Sequence, residues 1–169
     1  MSPAARGARG THARLVGLVL VGGALGTSLR SWLEDTWGQP SGWPWVTFAI
    51  NLVGSFLLGL LLESLVRGGP DEGRRRAVRL GCGTGVLGGF TTYSTFVLEV
   101  HRLETAGEVA TAVVYPLVSV VLGVVCAVAG MWLASRRRVP TRDGPVTTGD
   151  GLVTTDDGPV PTSDAEVAR

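Results

Sequence analysis

The residues of this chain best suited to chemistry are neutral hydrogen-bond donors in apolar surroundings. Five hydroxyl side chains follow one another at residues 91–95, and Phe96 comes directly after them. Asn51 lies in a separate apolar run, and Tyr115 and Ser119 share one face of a predicted helix because they are four residues apart. Amides and hydroxyls without a fixed charge bind an anion only loosely. These residues could therefore contact a small anion, or they could serve only in packing between helices.

The charge pattern predicts that these residues lie in a membrane. Charged residues make up 17% of the 169-residue chain, against about a quarter in globular proteins. No acid or arginine occurs in the 27 residues between Asp35 and Glu63, or in the 27 between Glu108 and Arg136. A helix needs about 20 apolar residues to cross a bilayer. Four membrane-spanning helices are predicted, at residues 13–33, 45–66, 78–100 and 109–135.

The third predicted span is a poor place for an uninterrupted helix. Five glycines fall within residues 81–89, just before the hydroxyl side chains. Each glycine inside a helix costs about 1 kcal/mol relative to alanine, so we predict that this helix is broken. Broken backbone survives at membrane depth only inside protein or beside a wet cavity. The alternative is close helix packing through small residues, a role that the GxxxG spacing of Gly22 and Gly26 also suits.

Several classes of protein are disfavoured by composition. All 15 basic residues are arginines at segment ends, and the net charge is +1, which does not make a nucleic-acid-binding face. Cys82 and Cys126 lie in apolar runs and only two histidines are present, which excludes a disulfide framework and argues against zinc. The acids nearest the membrane fall at span ends, where we interpret them as solvated anchors: Glu34, Glu63, Glu99 and Glu108.

Two alternatives to a channel remain open at this point. A small four-helix proton-coupled exporter would need an ionisable group inside the membrane, and the predicted spans carry acids only at their ends. A non-transporting membrane scaffold would use the glycines and Asn51 for packing alone.

The ends of the chain differ from its centre. Residues 1–12 are predicted to form a cytoplasmic arm, 13–135 the membrane domain, and 136–169 a disordered cytoplasmic tail rich in Pro, Gly, Thr and Asp. Only Arg30 and Arg102 fall on the side of the membrane opposite the termini. Because arginines near span ends favour the cytoplasm, both termini are predicted to lie inside. The arginines near span ends on the side of the termini are Arg6, Arg9, Arg14, Arg67, Arg74, Arg75, Arg76, Arg79, Arg136, Arg137, Arg138 and Arg142.

Three segments resemble the fluoride channel family (CrcB/Fluc). They read GGALGTSLR at residues 22–30, NLVGSFLLG at 51–59 and GGFTTYSTF at 88–96. The spacing of Tyr115 and Ser119 also fits, and the resemblance covers residues 13–135. It implies a passive fluoride-selective channel, not an enzyme, in a multi-pass cell-membrane protein. It further implies an antiparallel dimer with two pores along the interface and a structural sodium ion at the centre.

The resemblance also assigns roles to single residues. Asn51 is expected to donate a hydrogen bond into the pore, and Phe96 to offer the positive edge of its ring to fluoride. Tyr93 stands at the second aromatic position, where the family more often has Phe. Ser94, Thr95, Tyr115 and Ser119 are expected to form a polar track beside the rings.

The sodium ion and the dimer contact are assigned in the same way. The backbone carbonyls of Gly88 and Thr91 are expected to hold sodium, and Arg30 is expected either to contact the dimer partner or to serve as a snorkelling anchor. The arginine count predicts insertion almost entirely in one orientation, whereas an antiparallel dimer needs both. We therefore expect a heterodimer with an oppositely oriented homologue, with a homodimer from a small inverted fraction as the alternative.

Overall fold

The computed structural model describes residues 3–38 and 42–136, with side chains from residue 12 onward. All regular structure in this part of the chain is helical, which confirms the predicted all-α class. The helices are α1 (Pro3–Trp37), α2 (Trp45–Arg67), α3 (Gly73–Val78), a π-helix (Arg79–Leu87), α4 (Gly88–Phe90), α5 (Ser94–Thr105) and α6 (Val109–Arg136). The predicted tail, apart from Arg136, lies outside the described residues, as do most side chains of the predicted arm.

Three of these helices are long and apolar enough to cross a membrane. They cover His12–Trp37, Trp45–Arg67 and Val109–Arg136, and they correspond to the first, second and fourth predicted spans. Many of their large apolar side chains are exposed, among them Leu20 and Val120. A surface of this kind suits lipid or a partner subunit rather than water. The protein is therefore a multi-pass helical membrane protein.

The region of the third predicted span is divided into shorter pieces. The π-helix is followed by the single turn α4, and a new helix begins only at Ser94. Between them Thr91 is extended, with φ −75° and ψ 154°. The glycines before this point weaken a regular helix, and the following side chains supply alternative hydrogen bonds for the backbone. The interruption falls between the glycine-rich stretch and the α5 helix.

Helix α1 packs against the π-helix and α4 backbone to backbone. A Cβ atom added to Gly22 would overlap the Gly81 carbonyl, and one added to Gly26 would overlap the Val86 carbonyl and crowd the Phe90 amide. The predicted role of Gly22 and Gly26 in helix contact is therefore confirmed. The contacts advance in the same direction along both segments, so α1 runs parallel to the π-helix and α4.

Helices α2 and α6 form the most extensive interface in the fold. Gly59 meets the backbone of Ala127, and Gly123 lies close to Ser55, so these two helices also run parallel. One end of the molecule then carries Arg67, Arg79 and Arg136, and we call it the arginine-rich end. The opposite end, which we call the tryptophan-rich end, carries Trp37, Trp43 and Trp45.

Candidate functional site

Asn51 of α2 holds the interruption between α4 and α5. Its Nδ2 donates to the Thr92 carbonyl at 3.0 Å, and the Thr92 amide donates to its Oδ1 at 2.9 Å. In a continuous α-helix the Thr92 amide would donate to the carbonyl of Gly88, four residues earlier. Asn51 Oδ1 therefore accepts the hydrogen bond that the Gly88 carbonyl would accept in a continuous helix.

The first turn of α5 is organised in a similar way by Thr92. Its hydroxyl accepts a hydrogen bond from the Thr95 amide at 3.1 Å, a donor that a continuous helix would direct to the Thr91 carbonyl. The Thr92 hydroxyl also lies 3.3 Å from Ser94 Oγ and 3.2 Å from Thr95 Oγ1. The two carbonyls predicted to hold sodium, those of Gly88 and Thr91, are thus both deprived of their helical donors.

Next to this interruption lies a groove of about 460 Å³ that brings four predicted pore residues together. Asn51, Tyr93, Phe96 and Ser119 all line it. The groove is open along one side, and Tyr93 is 79% exposed there. The remaining lining residues are small, hydroxyl-bearing or aliphatic: Ser55, Thr91, Thr92, Val120, Gly123, Val124 and Ala127. Ser94, Thr95 and Tyr115 do not line this groove.

Four aromatic rings form a row that leads away from the groove. The centroids of Tyr93 and Phe96 are 6.2 Å apart, and those of Phe96 and Tyr115 are 5.1 Å apart. Tyr115 is completely buried, and its ring meets Trp43 edge to face at 5.4 Å. Trp43 is part of the tryptophan-rich end, so the row runs from the groove towards that end of the molecule.

Glu99 is a site residue that sequence analysis missed. The Thr47 hydroxyl donates to its Oε1 at 2.6 Å and the Tyr115 hydroxyl donates to its Oε2 at 3.0 Å. Its interpretation as a solvated anchor is therefore wrong, because the carboxylate is tied to α2 and α6 and only partly exposed. Helical spacing offered a signal, since Glu99 is three residues from Phe96 and Thr47 four from Asn51.

A second cavity, of about 390 Å³, lies at the tryptophan-rich end. Thr47, Thr95 and Glu99 line it together with Glu34 and Arg102. The predicted polar track is therefore divided: Ser119 lines the groove, Thr95 lines the second cavity, and Tyr115 is buried between the aromatic row and Glu99. Ser94 is exposed beside Thr92.

Arg30 ties α1 to the interruption. Its Nη1 forms a salt bridge with Glu34 Oε2 at 3.0 Å and lies 3.4 Å from Thr95 Oγ1, and its Nε donates to the Gly89 carbonyl at 3.4 Å. The guanidinium is largely shielded, with the side chain 18% exposed. Arg30 thus stands beside the carbonyls freed at the interruption.

Three buried polar atoms lack a hydrogen-bond partner in the described part of the chain. They are Ser119 Oγ at the groove, Trp43 Nε1 in the aromatic row and Glu34 Oε1 near the second cavity. Buried polar groups are nearly always paired, with protein, water or an ion. Since all three adjoin the row of cavities and rings, the site has unused capacity for a small polar ligand.

The fold and the groove together define a class of protein: a multi-pass helical membrane protein whose groove is lined by neutral donors and aromatic rings. Residues 17–131 match the family described as CrcB-like protein, Camphor Resistance (CrcB). This match covers more than half of the chain, and the chain belongs to the CrcB family.

Its similar relatives include proteins named as fluoride-specific ion channels. FluC 1 of Cutibacterium acnes is 52% identical over 114 residues, which cover 67% of this chain and 80% of that protein. FluC 2 of Leifsonia xyli subsp. xyli is 47% identical over 124 residues, covering 73% and 86%. FluC of Hyphomonas neptunium is 46% identical over 121 residues, covering 70% and 94%.

Proposed function

We propose that this protein is a fluoride-selective channel of the cell membrane. It lets cytoplasmic fluoride leave passively down its electrochemical gradient and so limits fluoride toxicity; it is not an enzyme. The observation that carries the proposal is the groove that joins Asn51, Phe96 and Ser119 in a chain closely related to named fluoride-specific channels.

The groove suits a small anion that must shed water and still leave. Asn51 has two amide hydrogens, and Thr92 engages one of them, which leaves the other for fluoride. Phe96 offers the positive edge of its ring, and Ser119 places a hydroxyl on the wall of the groove. None of the residues that line the groove is charged. Binding is therefore weak enough for conduction, which requires that an ion both enter and leave.

The path continues from the groove to the second cavity at the tryptophan-rich end. Phe96 packs on Tyr115, and the Tyr115 hydroxyl donates to Glu99, which lines that cavity. Glu99 accepts the hydroxyl hydrogens of Tyr115 and Thr47, so the carboxylate fixes these two side chains where the aromatic row meets the second cavity. Thr95 supplies a further hydroxyl at the same place.

Two copies in opposite orientations complete the pore. The groove is open on one side and Tyr93 is exposed there, so a second subunit would enclose the ion. In each subunit the π-helix, α4 and α5 together make the remaining membrane crossing, as a broken helix between the second and fourth spans. The dimer then has two pores along its interface.

The carbonyls of Gly88 and Thr91 fit a structural sodium ion at the centre of the dimer. Their helical donors are diverted to Asn51 Oδ1 and Thr92 Oγ1, and such carbonyls are suitable ligands for an alkali cation. When bound, sodium supplies positive charge that holds the two interruptions together. Arg30, anchored at the Gly89 carbonyl, lies beside this centre and contributes to the dimer contact.

The partner subunit is an oppositely oriented homologue. Among the arginines near span ends, twelve lie on the side of the termini and two, Arg30 and Arg102, on the other. This bias favours insertion with both termini in the cytoplasm, so an inverted partner must come from another chain. A homodimer that includes a small inverted fraction is the alternative.

A flux assay tests the proposed function. Protein purified with its partner and reconstituted into liposomes should release fluoride when a potential is applied, with far less release of chloride. Collapse of the proton gradient should leave the flux unchanged. Dependence of flux on that gradient would indicate a proton-coupled exporter, and absence of any fluoride flux from folded protein would contradict the proposal.

A further inference from the structure

The loop between α2 and the π-helix carries more positive charge than its acids neutralise. Arg67 Nε pairs with Glu63 Oε1 at 2.6 Å, and Arg79 Nη2 pairs with Asp71 Oδ2 at 2.8 Å. The hydrogen bond from Arg79 lowers the pKa of Asp71, so this acid stays ionised and paired. Glu63 and Asp71 are therefore already neutralised by arginines outside α3, and Glu72 is the one acid of this loop left to balance the three arginines of α3.

Helix α3 adds three consecutive arginines, Arg74, Arg75 and Arg76, which we call the basic turn. None of them forms a salt bridge with an acid among the described residues. Arg74 and Arg76 are exposed, and the Arg75 guanidinium lies against the backbone of Gly68 and Gly69. The basic turn is thus a cluster of guanidinium groups with no salt-bridge partner among residues 12–38 and 42–136.

The basic turn lies at the level where the apolar helices end. Arg67 is the last residue of α2, and Arg136 is the last residue of α6. The Arg136 guanidinium stacks on the Trp132 ring, with Cζ 3.5 Å from the ring centroid. Tryptophan is enriched at the boundary between membrane and water. The neighbouring guanidinium groups therefore stand at headgroup depth.

We propose that the basic turn binds the phosphate of an anionic phospholipid. Guanidinium groups match phosphate oxygens in bidentate geometry, and juxtamembrane arginines attract anionic lipid. Free phosphate offers the same oxygens, but the adjacent surface favours a lipid: Val66, at the end of α2, is 73% exposed and can lie against acyl chains. This site goes beyond fluoride conduction and does not depend on it.

Native mass spectrometry of the full-length protein tests this site. The protein is released from micelles that contain equal amounts of phosphatidylglycerol and phosphatidylcholine, and retained lipid is counted. Each juxtamembrane arginine strengthens lipid association about fivefold, so R74Q/R75Q/R76Q should lower the preference for phosphatidylglycerol at least ~10-fold. R74K/R75K/R76K keeps the charge but not the bidentate geometry, and should give an intermediate preference. R102Q removes one arginine at the other end of the molecule; it is the control and should lose far less of the preference than the triple variant.

The outcomes that overturn the proposal are distinct. Equal retention of both lipids by the unsubstituted protein would contradict it, and so would an equal loss in R102Q. Displacement of phosphatidylglycerol by millimolar inorganic phosphate would assign the site to free phosphate instead. If the triple variant does not fold, R74Q/R76Q, which keeps Arg75 on its glycine turn, carries the test. None of these readouts requires fluoride flux.

Discussion

At the residue scale, the central feature is that one amide side chain serves two purposes. Asn51 replaces a helical hydrogen bond through Thr92 and still has one N–H to offer. Asn51 therefore links the shape of the interruption to the lining of the groove, which is the proposed ion path. Substitutions at Asn51 should therefore affect both.

We expect Asn51→Asp to be worse than Asn51→Ser. Aspartate can still accept from the Thr92 amide but, when ionised, donates nothing to the Thr92 carbonyl and places a negative charge where an anion passes. Serine keeps one donor. Fluoride flux from liposomes should fall below detection in Asn51→Asp and remain measurable in Asn51→Ser. Equal flux through both variants would show that Asn51 does not face the ion.

Phe96→Ile should nearly abolish fluoride flux while the protein still folds and assembles. Isoleucine keeps apolar bulk against Tyr115 but removes the ring edge that faces the groove. The matched control is Tyr93→Phe, which retains the ring and should change flux only mildly. Size-exclusion chromatography checks assembly. Undiminished flux in Phe96→Ile would reduce that residue to a packing role.

At the scale of elements, two parallel helix pairs position the site, and glycines decide how closely they approach. Helix α1 meets the π-helix through Gly22 and Gly26, whereas Gly17 on the same helix has nothing within 4 Å of its added Cβ. The close contact leaves no room for a side chain at Gly22 or Gly26, whereas a side chain at Gly17 would meet nothing. This difference makes a matched pair of substitutions available.

Gly26→Ala should destabilise the protein by about 1–3 kcal/mol, since the added methyl overlaps backbone that cannot rotate away. Gly17→Ala should be neutral or stabilising by up to about 1 kcal/mol, because alanine is the better helix former. Thermal unfolding in detergent, followed by circular dichroism, checks both variants. Similar melting temperatures for the two would contradict the close contact between α1 and the π-helix.

Much of this element arrangement follows from local sequence, and the site network does not. Long apolar runs predict α1, α2 and α6. The high density of glycines after α3 predicts that the helix there is interrupted. The network at Glu99 joins Thr47 of α2 and Tyr115 of α6. Helical spacing places Glu99 on the face of Phe96 and Thr47 on the face of Asn51. Whether those faces meet depends on which helices become neighbours and in which rotation. A carboxylate at a span end consequently looks like an anchor.

At the scale of the whole molecule, the distribution of arginines favours one orientation in the membrane, whereas the proposed pore needs subunits in both orientations. The arginine-rich end gathers Arg67, Arg79 and Arg136, and the tryptophan-rich end keeps Arg30 and Arg102. This bias favours a single orientation, whereas the proposed pore needs an inverted neighbour. In our proposal that neighbour is the product of a second gene.

A reporter fused to the C-terminus should read cytoplasmic in almost every molecule. Fluoride flux should require co-expression of the oppositely oriented homologue, because the groove stays open without it. The comparison is between liposomes made with this chain alone and with the co-purified pair. Full activity of this chain alone would exclude an obligatory heterodimer and favour a homodimer with an inverted fraction.

The contact between α1 and the π-helix also has a mechanical consequence. It is built from backbone atoms at Gly22, Gly26 and Gly89, so no rotamer change can loosen it. The two segments therefore form one rigid unit. Sliding of α1 along the π-helix would require their backbones to separate. We therefore expect movement during the proposed ion passage to come from exposed side chains such as Tyr93 and Ser94, and not from sliding of α1 along the π-helix.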